Sequence, residues 1–172
     1  NIMKFLKFFS LISSLILTSC GGNAQSIQEG QDAINFTLPD KDGKNYTLYD
    51  YKSKNFVVIY FYPKASTPGC TKQACGIRDN IQTLKDNNIQ VFGVSVDSKD
   101  ALQEFAKKYN LNYTLLSDES KEVSKNYGVL NALGFSSRVT FIISPDMKII
   151  KIIRNVDIEN HVNDILAAVK NS

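Results

Sequence analysis

The chain has 172 residues, 43% hydrophobic and 22% charged, the balance of a single globular domain long enough to bury a core without disulfide staples. The formal net charge is +3, and Lys4 and Lys7 supply two of those charges, so about +1 remains once the leading segment is set aside. That is too little for the basic footprint of a nucleic-acid-binding protein.

Residues 1–19, with Met3 as the natural start, open on Lys4 and Lys7 and continue as an apolar run from Phe8 to Leu17. About ten apolar residues fit the central region of a signal peptide and fall short of the roughly 20 needed to span a bilayer. Leu17-Thr18-Ser19-Cys20-Gly21 then resembles the lipobox of bacterial lipoproteins, in which small residues precede a cysteine that becomes the lipidated first residue. A diacylglycerol thioether there supplies the two acyl chains that stable anchoring needs. The expectation is a signal peptide over 1–19, a lipidated tether over 20–33 beginning at Cys20, and a folded domain over 34–172. The protein is then held by its lipid to a bacterial membrane in the cell envelope, facing the periplasm or the exterior.

Beyond the tether, Phe36-Thr37-Leu38 and Tyr46-Thr47-Leu48 flank the turn Asp40-Lys41-Asp42-Gly43 and predict a small hairpin. Residues 56–62 form a continuous β-branched and aromatic run, as expected of a strand buried on both faces. A helix is predicted over 68–86, a buried strand over 89–96, and a helix over 101–109 with Leu102, Phe105, Ala106 and Tyr109 on one face. A short strand over 113–116 and a short helix over 121–127, ended by Gly128, follow. Residues 139–143 and 147–153 predict a terminal hairpin. Ile158, Val162, Ile165, Leu166 and Val169 mark a closing amphipathic helix. Alternating units of this kind make an α/β fold around a mixed sheet.

Three cysteines, Cys20, Cys70 and Cys75, cannot all pair within one chain. Cys70 lies where a buried strand gives way to a helix, the place at which open α/β sheets carry their sites. Thr67 suits the N-cap and Pro68 the first helical position, which sets Cys70 in the first turn. Unpaired amides and the positive end of the helix dipole favour negative charge on a sulfur there, so Cys70 is the candidate nucleophile.

At about 100° per residue, Cys70, Ala74, Ile77, Ile81 and Leu84 fall within roughly 40° of one line, the apolar stripe of the helix. Cys75 lies about 140° from Cys70 and off that stripe. It reads as a redox partner or as a plain helix residue, the former favoured because an exposed thiol in an oxidising compartment is a liability. Cα atoms five residues apart on an intact helix are about 8.6 Å distant, beyond the roughly 7 Å a disulfide tolerates. A bond between Cys70 and Cys75 would require the first turn to unwind.

Pro63-x-x-x-Thr67-Pro68-Gly69-Cys70-Thr71, with Cys75 five residues on, resembles the peroxiredoxins, and among them the bacterioferritin comigratory protein or PrxQ subfamily. The likeness continues through Gly76-Ile77-Arg78-Asp79, Leu115-Leu116-Ser117-Asp118, Tyr127-Gly128-Val129 and Arg138-Val139-Thr140-Phe141-Ile142. It implies a thioredoxin-like fold, a central mixed β-sheet flanked by helices with an N-terminal β-hairpin. By position it implies Cys70 as the peroxidatic cysteine and Cys75 as the resolving cysteine of an intramolecular disulfide. Thr67 would orient the peroxide, Pro63 would shield the site from water, and Arg138 would supply positive charge beside the sulfur. The implied activity is reduction of hydrogen peroxide and organic hydroperoxides by a monomer, recycled by a thioredoxin-like protein, without metal or organic cofactor. The segment 130–137 is shorter than the subfamily's usual loop, so its substrate preference and self-association are not carried over.

The alternative is a membrane-anchored thiol–disulfide oxidoreductase on the same fold, which normally carries Cys-x-x-Cys and matches Cys-x-x-x-x-Cys poorly. A copper carrier would need a close cysteine pair and a histidine ligand. The sole histidine, His161, is expected as a solvated or helix-flank residue.

Overall fold

The computed structural model describes residues 27–172; the expected signal peptide and Cys20 lie outside them. A hairpin of β1 (Thr37–Pro39) and β2 (Asn45–Thr47) is turned by Asp40, whose carboxylate accepts from the amides of Asp42 and Lys44, both at 2.9 Å. One 3₁₀ turn follows at Leu48–Tyr51. The chain then alternates through β3 (Phe56–Phe61), α1 (Pro68–Asp79), α2 (Ile81–Asp86), β4 (Ile89–Ser95), α3 (Lys99–Tyr109) and β5 (Thr114–Ser117). It finishes with α4 (Glu122–Asn126), β6 (Val139–Ile143), β7 (Ile149–Ile153) and α5 (His161–Lys170).

The main sheet has five strands in the order β5-β4-β3-β6-β7. β3, β4 and β5 run parallel, β6 lies antiparallel to β3, and β7 antiparallel to β6. β3 is central, and its uninterrupted apolar run is explained by burial on both sides. Val57, Ile59 and Phe61 face one core with Phe92, Phe141 and the hairpin's Leu38. Val58, Tyr60 and Tyr62 face the other, where Ile77, Leu84, Phe105 and Ile165 arrive from the helices. This is the mixed sheet with flanking helices and N-terminal hairpin expected above.

Two boundaries differ from the sequence reading. The helix expected over 68–86 is broken at Asn80 (φ −111°, ψ 10°) into α1 and α2. The Asn80 side-chain amide donates to the Gly76 carbonyl at 2.9 Å, and its backbone N–H turns to Ile77 instead, so a side chain has replaced the i→i−4 bond. The apolar stripe survives the break, with Cys70, Ala74, Ile77, Ile81 and Leu84 all buried. Among the described residues, packing also extends ahead of the boundary expected at residue 34. Ile27 and Ala33 are buried. The Gly30 amide donates to the Ile149 carbonyl at 2.7 Å and the Ile149 amide to Gln31 at 2.9 Å, so residues 30–32 cover part of the β7 edge.

Gly93 in β4 stands opposite Tyr60 in β3. A Cβ at Gly93 would lie 2.6 Å from the Tyr60 hydroxyl oxygen and 2.8 Å from Leu115 Cδ2, so the absence of a side chain makes room for the tyrosine ring. Gly93→Ala should therefore destabilise the protein by about 1–3 kcal/mol through overpacking. A urea-unfolding midpoint unchanged from wild type would show that the ring has room to move.

Candidate active site

β3 ends at Phe61, and Tyr62, Pro63 and the turn to Thr67 carry the chain into α1. The turn is held from the side. The Asp97 carboxylate accepts from the Ala65 amide at 2.8 Å and from the Ser95 hydroxyl at 2.8 Å, while the Asp97 carbonyl accepts from Ser117 at 2.7 Å. Asp97 thus ties the loop to the ends of β4 and β5. Pro63 is half-buried at the mouth of this turn.

Thr67 has the extended backbone of an N-cap (φ −78°, ψ 151°), but its side chain makes no capping bond. Its hydroxyl donates to the Lys64 carbonyl at 2.9 Å, across a turn in which Ser66 is left-handed at φ 61°. The side-chain cap expected from the sequence is absent. With its proton committed to Lys64, the Thr67 oxygen is left as an acceptor.

Cys70 is 2% exposed in the first turn of α1. The amides of Gly69 and Cys70 have no carbonyl one turn back to bond. Arg138, immediately before β6, donates from Nη2 to Cys70 Sγ at 3.4 Å. The guanidinium fits there because position 69 is glycine: a Cβ would lie 3.2 Å from Arg138 Nη2 and 3.7 Å from Ile158 Cδ1. The segment 130–137 fixes where Arg138 emerges. It closes on itself through the Leu130–Ser136 bridge, and the Ser124 and Ser136 hydroxyls meet at 2.9 Å.

Arg138 is itself held from behind. Its Nη1 donates to Gln73 Oε1. Gln73 Nε2 lies 3.3 Å from His161 Nδ1, and His161 Nε2 lies 2.9 Å from Thr140 Oγ1. His161 is 2% exposed, Gln73 1% and Thr140 fully buried. Of the two expectations, the solvated one is overturned and the helix-flank one holds: α5 starts at His161 and turns it inward, against the edge of the Tyr60 ring at 6.1 Å. Burial, aided by the Arg138 charge, lowers its pKa to about 4.

Cys75, half-buried, and Cys70 are both free thiols. The Tyr113 hydroxyl donates to the Ala74 carbonyl at 3.2 Å and lies 2.6 Å from that of Tyr60. Among the described residues no group of three or more His, Cys, Asp or Glu side chains is placed to hold a metal. The structure thus brings Cys70 and Arg138 into contact and adds Gln73, His161, Thr140 and Asp97. Gln73 sits three residues after Cys70, a helical neighbour legible from spacing. His161 arrives from 88 residues away, and no local pattern announces it.

The AhpC/TSA family model matches residues 29–152. Peroxiredoxin Bcp of Escherichia coli K12 is 40% identical over 147 residues, covering 81% of this chain and 94% of its own length. The crystal structure of peroxidoxin BcpB from Mycobacterium tuberculosis superposes with a TM-score of 0.78 at 33% identity, covering 84% of this chain and 97% of that one. Bacterioferritin comigratory protein of Xanthomonas campestris, described for its alkyl peroxide reduction activity, superposes with a TM-score of 0.74 at 28% identity, covering 79% and 90%.

Because His161 is buried neutral, an unfolded chain takes up its proton near pH 6.5, before the folded one does. The histidine therefore costs nothing above that pH, and stability falls as pH drops from about 6.5 toward about 4. Relative to His161→Asn, the wild type should lose about 2 kcal/mol between about pH 7.5 and about pH 5. Urea unfolding of both proteins at the two pH values measures this, and a constant difference would mean that the imidazole titrates normally.

Proposed function

This chain belongs to the AhpC/TSA family, as a peroxiredoxin of the Bcp/PrxQ kind, and on that premise we propose that Cys70 is its peroxidatic thiol and Arg138 the group that meets the charge on sulfur. The protein is a thiol peroxidase of thioredoxin-like fold, and these relatives lend no support to the membrane oxidoreductase alternative. The observation that carries the assignment is the Arg138 Nη2 bond to Cys70 Sγ at 3.4 Å, made to a buried sulfur in the first turn of a helix.

In the proposed reaction the Cys70 thiolate attacks one peroxide oxygen. The S–O bond forms as the O–O bond breaks, and the leaving oxygen takes a proton to depart as water or an alcohol. Arg138 neutralises charge that moves from sulfur to oxygen. Thr67 Oγ1 accepts from the peroxide hydroxyl, and Pro63 limits water at the mouth. Hydrogen peroxide and organic hydroperoxides are both substrates; the alkyl peroxide activity described for the Xanthomonas protein supports the second class.

Cys75 then condenses with the Cys70 sulfenic acid, releasing water and forming a disulfide, which a thioredoxin-like dithiol reduces by exchange. No cofactor enters these steps. The bond requires α1 to unwind from its start, and the helix is fastened beyond that first turn. Tyr113 holds the Ala74 carbonyl, Arg78 donates to the Tyr109 carbonyl at 2.7 Å, and Lys72 pairs with Glu159. Burial raises the pKa of both Tyr60 and Tyr113 well above the ordinary tyrosine range, so the tyrosine link does not titrate in the working range. Resolution within one chain needs no second subunit, in keeping with a monomer.

The anchor belongs to the same proposal. Cys20 is the lipidated residue that follows a signal peptide over 1–19, and the basic start, apolar run and lipobox-like Leu17-Thr18-Ser19-Cys20 support it. The enzyme then works in the bacterial cell envelope. Expressed with its leader in a bacterium fed an alkyne fatty acid, the protein should take up label and fractionate with membranes. Cys20→Ala should abolish both, and labelling that persists in that variant would remove the anchor from this residue.

For the chemistry, Cys70→Ser should cut peroxide turnover by at least about 100-fold. Cys75→Ser should consume about one equivalent of peroxide and then stall or overoxidise. Stopped-flow mixing with mass spectrometry reads both; normal turnover by Cys70→Ser would sink the assignment.

A further inference from the structure

We infer that His161 is a positioning residue for the peroxidase: through the side-chain amide of Gln73 it fixes the Arg138 guanidinium against the Cys70 sulfur. This rests on the peroxidase reading above and adds to it a group that touches neither sulfur nor peroxide.

The direction of each bond in the chain is dictated by chemistry. A guanidinium has donors and no acceptor, so the Gln73 atom facing Arg138 is Oε1. The other end of that amide, Nε2, is then a donor, and it lies 3.3 Å from His161 Nδ1. Nδ1 must therefore be the unprotonated nitrogen. The ring proton sits on Nε2 and is donated to Thr140 Oγ1 at 2.9 Å. One tautomer of a neutral imidazole satisfies the whole chain, and the imidazolium does not.

The surroundings keep it so. Gln73 faces the ring from α1, Tyr60 from β3, and Arg138 and Thr140 from the start of β6. None of these supplies a carboxylate to hold a second proton. Burial holds the imidazole neutral down to about pH 4, so Nδ1 remains an acceptor wherever the enzyme works.

The arrangement also spans three elements. Gln73 is on the helix that carries Cys70, His161 starts α5, and Thr140 stands two residues after Arg138 on β6. Remove the Nδ1 acceptor and the buried Gln73 amide gains an unpaired N–H. Its orientation is then no longer fixed, and a flipped amide would turn its NH₂ toward the guanidinium and push Arg138 off the sulfur.

The test is the second-order rate of hydrogen peroxide with reduced wild type, His161→Leu, His161→Asn, Gln73→Ala and the Gln73→Ala/His161→Leu double variant. His161→Leu should slow the reaction about tenfold, while His161→Asn, whose Oδ1 stands near the place of Nδ1, should recover to within about threefold of wild type. In the Gln73→Ala background, His161→Leu should change the rate by less than about twofold, because its effect passes through the amide. A wild-type rate in His161→Leu, failure of His161→Asn to recover, or losses that multiply in the double variant would each overturn the inference. Should the leucine variant not fold, long-range ¹H–¹⁵N spectra of wild type decide, since the chain has a single histidine. The Nε2–H tautomer near neutral pH is the expected result, and the Nδ1–H tautomer or an imidazolium refutes it. A wild type that reacts no faster than a free thiol refutes the peroxidase reading itself, and this inference falls with it.

Discussion

In the proposed reaction a sulfur that is 2% exposed carries negative charge, and it then needs donors or a cation at contact distance, because an uncompensated buried charge is too costly to keep. At Cys70 the contact is Arg138, whose Nη2 donates to the sulfur at 3.4 Å, and the positive end of the α1 dipole adds to it. The requirement reaches deep into the fold through strand register. β3 and β6 pair with Phe61 opposite Val139 and Tyr60 opposite Thr140, which brings Arg138 beside Tyr62, where the chain leaves the sheet for α1. A slip of one residue would send Arg138 and Thr140 to the other face of the sheet. The cores on both faces, with Val139 and Phe141 on one side and Ile142 on the other, oppose that slip. The register that buries the core is also the register that charges the site.

The proposed cycle sets this order against itself. The site works when α1 is intact, and the disulfide forms when its first turns are undone. The fastenings at Lys72, Ala74 and Arg78 are spread along α1 on both sides of Cys75, whereas the Arg138 contact is at its first turn. Unwinding that reaches Cys75 has to break contacts from both sets. The tyrosine link traces back to Gly93, since the space above that glycine lets the Tyr60 ring extend its hydroxyl to Tyr113. A glycine in the middle of a buried strand thereby bears on a step at the end of a helix.

Much of the fold was legible because its signals are local or periodic. The apolar run of β3, the stripe from Cys70 to Leu84 and the Asp40–Gly43 turn each report their own surroundings. The break at Asn80 was not legible, because it depends on a side chain choosing a carbonyl within its own helix. Thr67 has the N-cap backbone its sequence position suggests without the side-chain bond, because its hydroxyl is turned to the Lys64 carbonyl, a partner that spacing does not reveal. Residues 27–33 look like tether by composition, yet β7 offers them an edge and the Arg154 side chain reaches the Ile27 carbonyl at 3.2 Å. His161 stands between the polar Asn160 and Val162, and its burial is fixed by the docking of α5 on α1 and β6. At the site the pattern is the same: the residues nearest Cys70 in sequence could be read from spacing, and the network behind Arg138 could not.

That network has a property set by its chemistry. A carboxylate in place of the Gln73 amide would also hold Arg138, but it would share the guanidinium charge and weaken its effect on sulfur and on the departing oxygen. Gln73 and a neutral His161 fix the guanidinium with dipoles alone, leaving the full positive charge for Cys70. The cost is that every donor must meet an acceptor, since no member has charge to spare and none reaches water. A protonated His161 would put a second cation behind Arg138 and leave the Gln73 NH₂ facing an N–H. Burial of the imidazole thus protects the direction of the hydrogen bonds as well as their strength, and that direction is what leaves the Arg138 donor aimed at sulfur.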